Sequence, residues 1–421
     1  LIGSVESGSL SGARLIRDRR IVMKKSVNIL LGIPTDLEYG RGVIQGIIRF
    51  AATTNWVLVD APVDDVRTVH NGSADSSELE RAGVIALIES PEKANAFKSL
   101  AVPCVSVSFA LDDSELPAVA CDDKMIGGLA ASHFLERQMR HFAYIGFPGR
   151  VDSQSRYAGF CERLAVDGFS KIAFLEIPEK SDAAAFKQLG EWIGSLPKPV
   201  GIFTINDAVG RNVIDACRSS AIRVPSSVAV LGCGNDPVIC GLASPALSSV
   251  ALPAERVGFE AADLLAALVN HKKLVERKRL VQVSSVIPRE STDNVSVRDP
   301  DVANALRFIL AHAGEWIGVR ELLLSLPVQR RSLERKFRKV LGRSPLEEIR
   351  RVRVDLAKQL LSGTDLPMPM VARRSGFSEA KQLSQVFRAL VGMTPTSYRA
   401  QFRLPETTPK DPAAAATDNL A

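Results

Sequence analysis

The sequence predicts an α/β protein of two lobes, followed by an all-helical domain built from two helix-turn-helix units. Three observations carry that prediction. From Val27 to Pro288, short apolar runs alternate with longer amphipathic stretches. Near the C-terminus one phrase occurs twice: Leu333, Phe337, Arg338, Gly342 and Pro345 recur as Leu383, Phe387, Arg388, Gly392 and Pro395, an offset of 50 at every position. The charge is also divided. The 421 residues carry a net charge of +6, yet residues 301–404 have 19 Lys and Arg against 9 Asp and Glu, a net of +10, which leaves 34 against 38 elsewhere, a net of −4.

Taken in chain order, residues 1–25 mix Arg14, Arg17, Arg19 and Arg20 with a Gly/Ser stretch. They lack the apolar core of a signal peptide, so they read as a disordered extension of a cytoplasmic protein. The apolar runs Val27–Ile33, Trp56–Val59, Gly83–Leu87, Cys104–Val107, Val119–Cys121, His141–Ile145, Ile172–Leu175, Gly201–Ile205 and Val228–Leu231 predict strands. The stretches Gly40–Thr53, Lys124–Arg137, Ser153–Leu164, Ala184–Ser195, Val209–Ser219 and Ala254–Val269 predict the helices between them. Such alternation argues for parallel sheets covered by helices on both faces. Residues 26–290 are too many for one ordinary sheet of this kind, so two lobes with a ligand-binding cleft are expected. No apolar run reaches the roughly 18 residues that a membrane span needs. The six cysteines lack metal-ligand spacing and read as buried thiols of a reducing compartment. No metal or cofactor is expected.

Residues 291–300 read as a linker, and Asp299-Pro300 starts a helix with an acidic N-cap and proline at the first position. In the first unit of the 301–404 domain, Val319–Leu326 is the leading helix, Pro327-Val328 the turn and Gln329–Leu341 the second helix. Leu333, Phe337, Val340 and Leu341 share an inward face. Gln329, Arg330, Arg331, Glu334 and Arg335 are left to meet base edges in a major groove, while Lys336 and Lys339 suit phosphates or water. In the second unit, Met370–Ser375 leads, Gly376 turns, and Ser378 caps a helix running to Val391. Phe377, Leu383 and Phe387 face inward, which leaves Ser378, Glu379, Lys381, Gln382, Ser384 and Gln385 for the groove. Pro345–Leu361 reads as one connecting helix of about 25 Å. Major-groove faces on one side of the duplex lie about 34 Å apart, so one chain can make two insertions. Arg350, Arg351 and Arg353 on the connector suit the intervening backbone or solvent. The tail, 405–421, reads as disordered.

Residues 301–403 resemble the DNA-binding domain of the arabinose-regulator (AraC/XylS) family. The resemblance rests on the doubled Phe-Arg with Gly-x-Ser/Thr-Pro, on Ser375-Gly376-Phe377-Ser378, and on Pro395-Thr396-Ser397-Tyr398-Arg399. It implies seven helices and a DNA partner read in adjacent major grooves. One departure stands out: the first turn has Pro327 where the family has glycine, and Gln329 where a capping Ser or Thr is usual. Proline cannot take the positive φ of glycine, so that turn must be built differently.

In the body, Tyr39-Gly40-Arg41-Gly42 through Gly46 looks like a dinucleotide fingerprint with the wrong final spacing, which is weak evidence. A small polar ligand at the carboxyl ends of the strands is the better reading. Its candidates are Tyr39, Arg41, Asp122, Arg156, Asn206, Asp207, Asn235 and Asp236, with Glu38 beside them. Each could equally be a turn former, and the set persuades more than its members. Residues 26–290 resemble the periplasmic-binding-protein-like effector domain of lactose/galactose-repressor (LacI/GalR) regulators. That resemblance rests on Asp122 through Gly149, Arg156 to Phe160, Phe203 to Ala208, Val224-Pro225 to Gly232, and Leu247 to Val250 with Gly258. It implies a sugar effector, xylose-like, with Asp207 in the site. An acidic residue is implied directly after the strand at 228–232, where this chain has Gly234 beside Asn235 and Asp236.

The reading is therefore a sugar-responsive transcription regulator, acting as a homodimer on operator half-sites, nucleoid-associated in the cytoplasm. Ligand closes the lobes, closure alters an effector-domain dimer, and the dimer sets how the basic domains meet DNA. The alternative is an enzyme acting on a cleft-bound metabolite with a DNA-binding tail. No Ser/His/Asp order, metal cluster or phosphate loop is visible to support it. A secreted solute-binding protein is opposed by the basic C-terminal domain.

Overall fold

The computed structural model describes residues 27–60, 81–99, 102–111, 116–178, 183–272, 276–283, 285–293 and 299–403. The extension expected at 1–25 and the tail expected at 405–421 lie outside the described residues.

Two six-stranded sheets form the body. The first holds β1 (Val27–Gly32), β2 (Trp56–Asp60), β3 (Arg81–Ala86), β4 (Cys104–Ser106), β5 (Ala118–Cys121) and β11 (Lys278–Val281), in the order β11-β5-β4-β3-β1-β2. The second holds β6 (His141–Gly146), β7 (Ile172–Glu176), β8 (Val200–Thr204), β9 (Val228–Gly234), β10 (Ser248–Ala251) and β12 (Ser285–Ile287), in the order β12-β10-β9-β8-β6-β7. Each sheet switches direction beside its first strand, β1 or β6, and each switch point opens a crevice at the carboxyl ends of the strands. Parallel strands covered on both faces must be apolar throughout, and β8 is buried along its whole length. The strand β10 escaped sequence reading because Ser248 and Ser249 look like loop. Both are fully buried, their hydroxyls bonded to Arg289 O and to Asp207.

The covering helices are α1 (Glu38–Ala51), α2 (Pro91–Lys98), α3 (Asp123–Glu136), α4 (Val151–Val166), α5 (Ala183–Ser195), α6 (Asp207–Ser219), α7 (Pro237–Leu242) and α8 (Ala254–Val269). The glycine cluster at 40–46 serves packing. A Cβ on Gly46 would sit 1.8 Å from Glu255 O, so α1 and α8 touch backbone to backbone. The other lobe repeats this with α3 against α4, where a Cβ on Gly127 would lie 2.0 Å from Arg156 O. Among the described residues the chain passes between the lobes at Cys121–Asp123, at Ala251–Ala254 and after Val281, through Gln282 and Val283.

The linker expectation changes at its start. Ser291 and Thr292 are fully buried in a 3-10 turn, Glu290–Thr292. Ser291 Oγ donates to Val230 O, and Thr292 Oγ1 meets His133 Nε2 at 2.9 Å. These hydroxyls complete the second lobe instead of linking it. Residues 294–298 lie outside the described residues.

Seven described helices follow: α9 (Pro300–Ala311), α10 (Val319–Leu324), α11 (Arg330–Leu341), α12 (Pro345–Gly363), α13 (Met368–Arg374), α14 (Ala380–Val391) and α15 (Pro395–Phe402). The repeated phrase is a stop-and-restart device. Gly342 and Gly392 end α11 and α14 in the left-handed region, at φ 70° and 82°. Ser344 and Thr394 then cap the next helix from their side chains, with proline at its start. Two separate apolar cores result. One gathers Leu322, Leu333, Phe337, Ile349 and Val352, the other Val354, Ala357, Phe377, Leu383 and Phe387. The 19-residue α12 belongs to both.

Candidate functional site

A cavity of about 490 Å³ lies between the lobes at the two switch points. Of the residues singled out by sequence, Glu38, Tyr39, Arg156, Asn206, Asp207 and Asp236 line it. Asp207 begins α6 at the carboxyl end of β8. Its two carboxylate oxygens accept from Ser249 Oγ and from Asp236 N. Burial pushes its carboxyl above the usual range, against these hydrogen bonds, which favour the charged form. Arg156 donates to Asp123 at 2.8 Å and to Ile205 O. Tyr39 donates its hydroxyl to Val107 O at 2.9 Å, which fixes the ring at the cleft wall. Asn206 caps α6 through Val209 N at 2.9 Å while it also borders the cavity.

Three expected ligand residues are placed elsewhere. Asp122 spends its side chain capping α3 through Met125 N, and the next residue, Asp123, faces the cleft instead. Asn235 takes φ 61° and accepts from Arg289 at 2.7 Å, behind the cleft. Arg41 bonds Thr35 O, Asp36 O and Glu38, and reaches Asp236 of the other lobe at 3.3 Å. It is a tie across the mouth of the cleft.

Sequence reading missed Glu89, Asp123, Arg150 and Asp152. Arg150 grips Asp152 with two nitrogens, at 3.0 and 2.6 Å, and crosses to Glu89 of the first lobe at 2.8 Å. Burial opposes the Asp152 charge, but the Arg150 hydrogen bonds and the nearby Arg156 hold its carboxyl below the usual range. A signal existed. Arg150 stands just before α4, in the loop after β6, as Leu37 stands just before α1 in the loop after β1, so the rule that picked residues after the first strand pointed to this loop as well.

The second candidate surface is on α11 and α14. In the first unit Gln329, Arg330, Arg331 and Arg335 are exposed and Glu334 is half-buried. Arg330 pairs with Glu334 at 2.9 Å, which leaves Arg331 and Arg335 as the cations of that face without a salt bridge among the described residues. Lys336, expected at phosphate or water, instead bonds Asp299 and Asp301 at the start of α9. Gln329 caps nothing with its side chain. The first turn contains no left-handed residue. It closes through Ser325 Oγ to Leu322 O and Val328 N to Leu326 O.

In the second unit Ser378, Glu379, Lys381, Gln382, Ser384 and Gln385 are all exposed. The cap expectation is corrected there. The residue before α14 is Glu379, and Ser378 instead donates its N–H and hydroxyl to Gln382 Oε1. On the connector, Arg350 is exposed, but Arg353 is buried and donates to Glu315 O and Ile317 O. Arg351 pairs with Glu348, Asp355 and Glu136 of the body. Neither of the last two is free for a DNA backbone.

Comparison with known proteins finds relatives of both domains. A periplasmic binding protein-like domain model matches residues 131–292, and a helix-turn-helix domain model matches residues 325–401. The xylose operon regulatory protein of Escherichia coli (strain K12) is 29% identical over 391 residues, 89% of this chain and 97% of that protein. Its namesake from Haemophilus influenzae is 27% identical over 381 residues, 86% of this chain and 95% of that protein. The structure of the xylose-binding transcription activator xylR shares 26% identity at a TM-score of 0.55, covering 90% of this chain and 98% of its own. A LacI-type regulator structure from Alkaliphilus metalliredigens in complex with D-xylulofuranose has the same body fold, at 20% identity and a TM-score of 0.51 over 63% of this chain and 99% of its own. The chain is a homologue of the xylose operon regulators, with a periplasmic-binding-protein-like domain followed by an AraC-type helix-turn-helix domain.

Proposed function

We propose that this homologue of the xylose operon regulators is a sequence-specific DNA-binding transcription regulator whose effector is an uncharged sugar, with xylose the first to test. One observation carries the reading: a single chain joins a carboxylate-lined cleft between two α/β lobes to two exposed recognition helices. Ionised carboxylates accept from sugar hydroxyls, and guanidinium groups donate to sugar oxygens. The acids Glu89, Asp123, Asp152, Asp207 and Asp236 outnumber Arg150 and Arg156, and both arginines are already paired with acids. That balance disfavours a sugar acid or phosphate and favours a neutral polyol. Asp123, Arg156, Asn206 and Asp207, with the Tyr39 ring, are the proposed contacts.

Ligand acts by preferring one lobe arrangement, and its power is limited to that preference. On DNA, Arg331 and Arg335 of the first unit are the proposed contacts to the phosphates that border the groove, and Gln382, Ser384 and Gln385 of the second are the proposed contacts to base edges. The reading includes a homodimer on two half-sites, in the cytoplasm. No described helix is long and apolar enough to cross a membrane.

The test is fluorescence anisotropy on a fragment of the regulated promoter, with and without D-xylose and a panel of other pentoses and hexoses. The expected result is tight DNA binding that one sugar changes severalfold. An affinity unmoved by every sugar overturns the effector. No preference over random DNA overturns the regulator. In a melting assay, Asp123→Asn should lose the sugar-induced shift, and an unchanged shift would remove that residue from the site.

A further inference from the structure

The C-terminal domain is seated against the hinge side of the body, and α12 spans the seam. Its Arg351, Asp355 and Gln359 face α3 and β12 of the second lobe across a cavity of about 380 Å³. Its far end and the residues just after it, Ser362–Asp365, face the crossover Ala251–Ala254, the crossover residue Gln282, and Gln45 and Arg49 of the first lobe across a second cavity of about 490 Å³. From Arg351 to Ser362 the helix covers about 16 Å.

The direct ties across this seam include two between side chains of the described residues. Arg351 Nη1 donates to Glu136 Oε2 at 3.0 Å, and Gln401 Nε2 donates to the crossover residue Gln282. Arg351 and Gln401 are the same position of the repeat, 50 residues apart. Each unit therefore uses its equivalent side chain to hold the body, one on the second lobe and one on the hinge. Glu136 stands on firm ground: the end of α3 is fixed by His133 to Thr292 at 2.9 Å and by Arg137 to Thr292 O at 3.0 Å. Arg351 is equally fixed, by Glu348 and Asp355.

We propose that α12 is a lever that reads the hinge angle within one chain, with its Arg351–Glu136 pair as the attachment to the second lobe and Gln401–Gln282, made from α15 of the same domain, as the attachment at the hinge. The inference rests on the effector reading above. Lobe closure turns the two lobes about the crossovers that border the seam, so its attachment points move relative to each other. Because α12 is part of both helix-turn-helix cores, it cannot bend without disturbing them, and the DNA-binding domain re-seats as a body. A seam that encloses two cavities permits that re-seating, where a packed apolar interface would resist it. Coupling of this kind operates in a single copy and needs no change in a dimer.

The test uses the full chain as wild type, Glu136→Gln and Glu136→Lys. Glu136 is half-exposed and outside both the cleft and the DNA surface. Two quantities are measured: the D-xylose melting shift, and the ratio of DNA affinities with and without D-xylose on a fragment holding one half-site. The expected result is an unchanged melting shift in all three proteins. The affinity ratio is expected to shrink about 2- to 5-fold in Glu136→Gln and to vanish in Glu136→Lys, where two cations face each other. A retained melting shift with an unaltered ratio in Glu136→Lys overturns the lever and leaves the effector reading standing. So does a wild-type ratio that departs from one only on a two-half-site fragment. If no sugar shifts the wild-type melting, the effector reading falls and the lever with it.

Discussion

The two helix-turn-helix units share one phrase and differ in what surrounds it. Both recognition helices stop on a left-handed glycine and restart on a capped proline. Around that device the first unit is ionic. Its restart is locked by Ser344 with Glu347, and by buried Glu348 between Arg343 and Arg351. The second unit has Tyr398 at the position of Glu348, packed edge-on against Phe387 at 5.3 Å. Their turns differ as well. The first is closed by Ser325 without glycine. The second needs Gly376, at φ 78° and with Arg353 Nε, Ala313 O and Glu315 O all within 2.8 Å of where a Cβ would stand. Their outward faces follow suit, arginine-rich in the first and mostly neutral in the second. The repeat thus preserves backbone punctuation and lets each copy choose its own chemistry. We read the first as the source of charge-driven affinity and the second as the source of sequence discrimination.

The largest expected effect tests the turns. Gly376→Ala should destabilise the C-terminal domain by about 2–4 kcal/mol, through a left-handed alanine and collision with two backbone oxygens. Gly342→Ala and Gly392→Ala meet open space, so only the backbone penalty of about 1–2 kcal/mol remains. Urea unfolding of the full chain, followed at its C-terminal transition, measures all three. Equal losses would erase the asymmetry of the turns.

The DNA faces come next. Gln385→Ala should cost about 1–3 kcal/mol of discrimination at one base pair, with little change in salt dependence. Arg331→Ala should weaken binding to all sequences and lower the salt slope by about one. Gel shifts over a salt series and a panel of single-base operator variants would expose the reverse pattern if the division of labour is wrong.

A smaller effect separates the restarts by pH. Burial opposes the Glu348 charge, but Arg351 and Arg343 overcome it and bring its carboxyl down to about 2. A depressed folded-state value stabilises the fold above the ordinary 4.5 and loses that contribution as pH falls toward 2. Melting between those limits should therefore drop more for wild type than for Glu348→Gln, and parallel curves would count against the ionic lock. The smallest effect concerns the uncapped start of α11. Gln329→Asp supplies a capping carboxylate and should raise stability by about 0.5–1 kcal/mol in the same melting assay.

Legibility in the sequence followed the range of each interaction. The repeat and its anchors were plain because a helix stop is local: glycine, cap and proline act within four residues. The candidate site was legible in outline, since Arg156, Asn206 and Asp207 sit where strand ends must open. Asp122 and Asp123 could not be separated from sequence, because one residue of helix phase decides which carboxylate caps and which faces the cleft. Arg41 looked like a ligand residue until the opposite lobe supplied Asp236. Glu89 and Arg150 are 61 positions apart in the chain and meet only because two lobes face each other.

By itself the sequence determined the two-lobed body, the two helix-turn-helix units and the basic character of the C-terminal domain. Those properties follow from hydrophobic period, local backbone preference and charge count, which a linear string records. Tertiary structure decided that a serine-rich segment becomes a buried strand, because partners for its hydroxyls come from residues some forty positions away. It also decided which arginines are spent on the fold and which remain for a ligand or for DNA, and that α12 lies across the hinge. Each of these depends on what packs opposite a residue, and that is set only when distant segments meet.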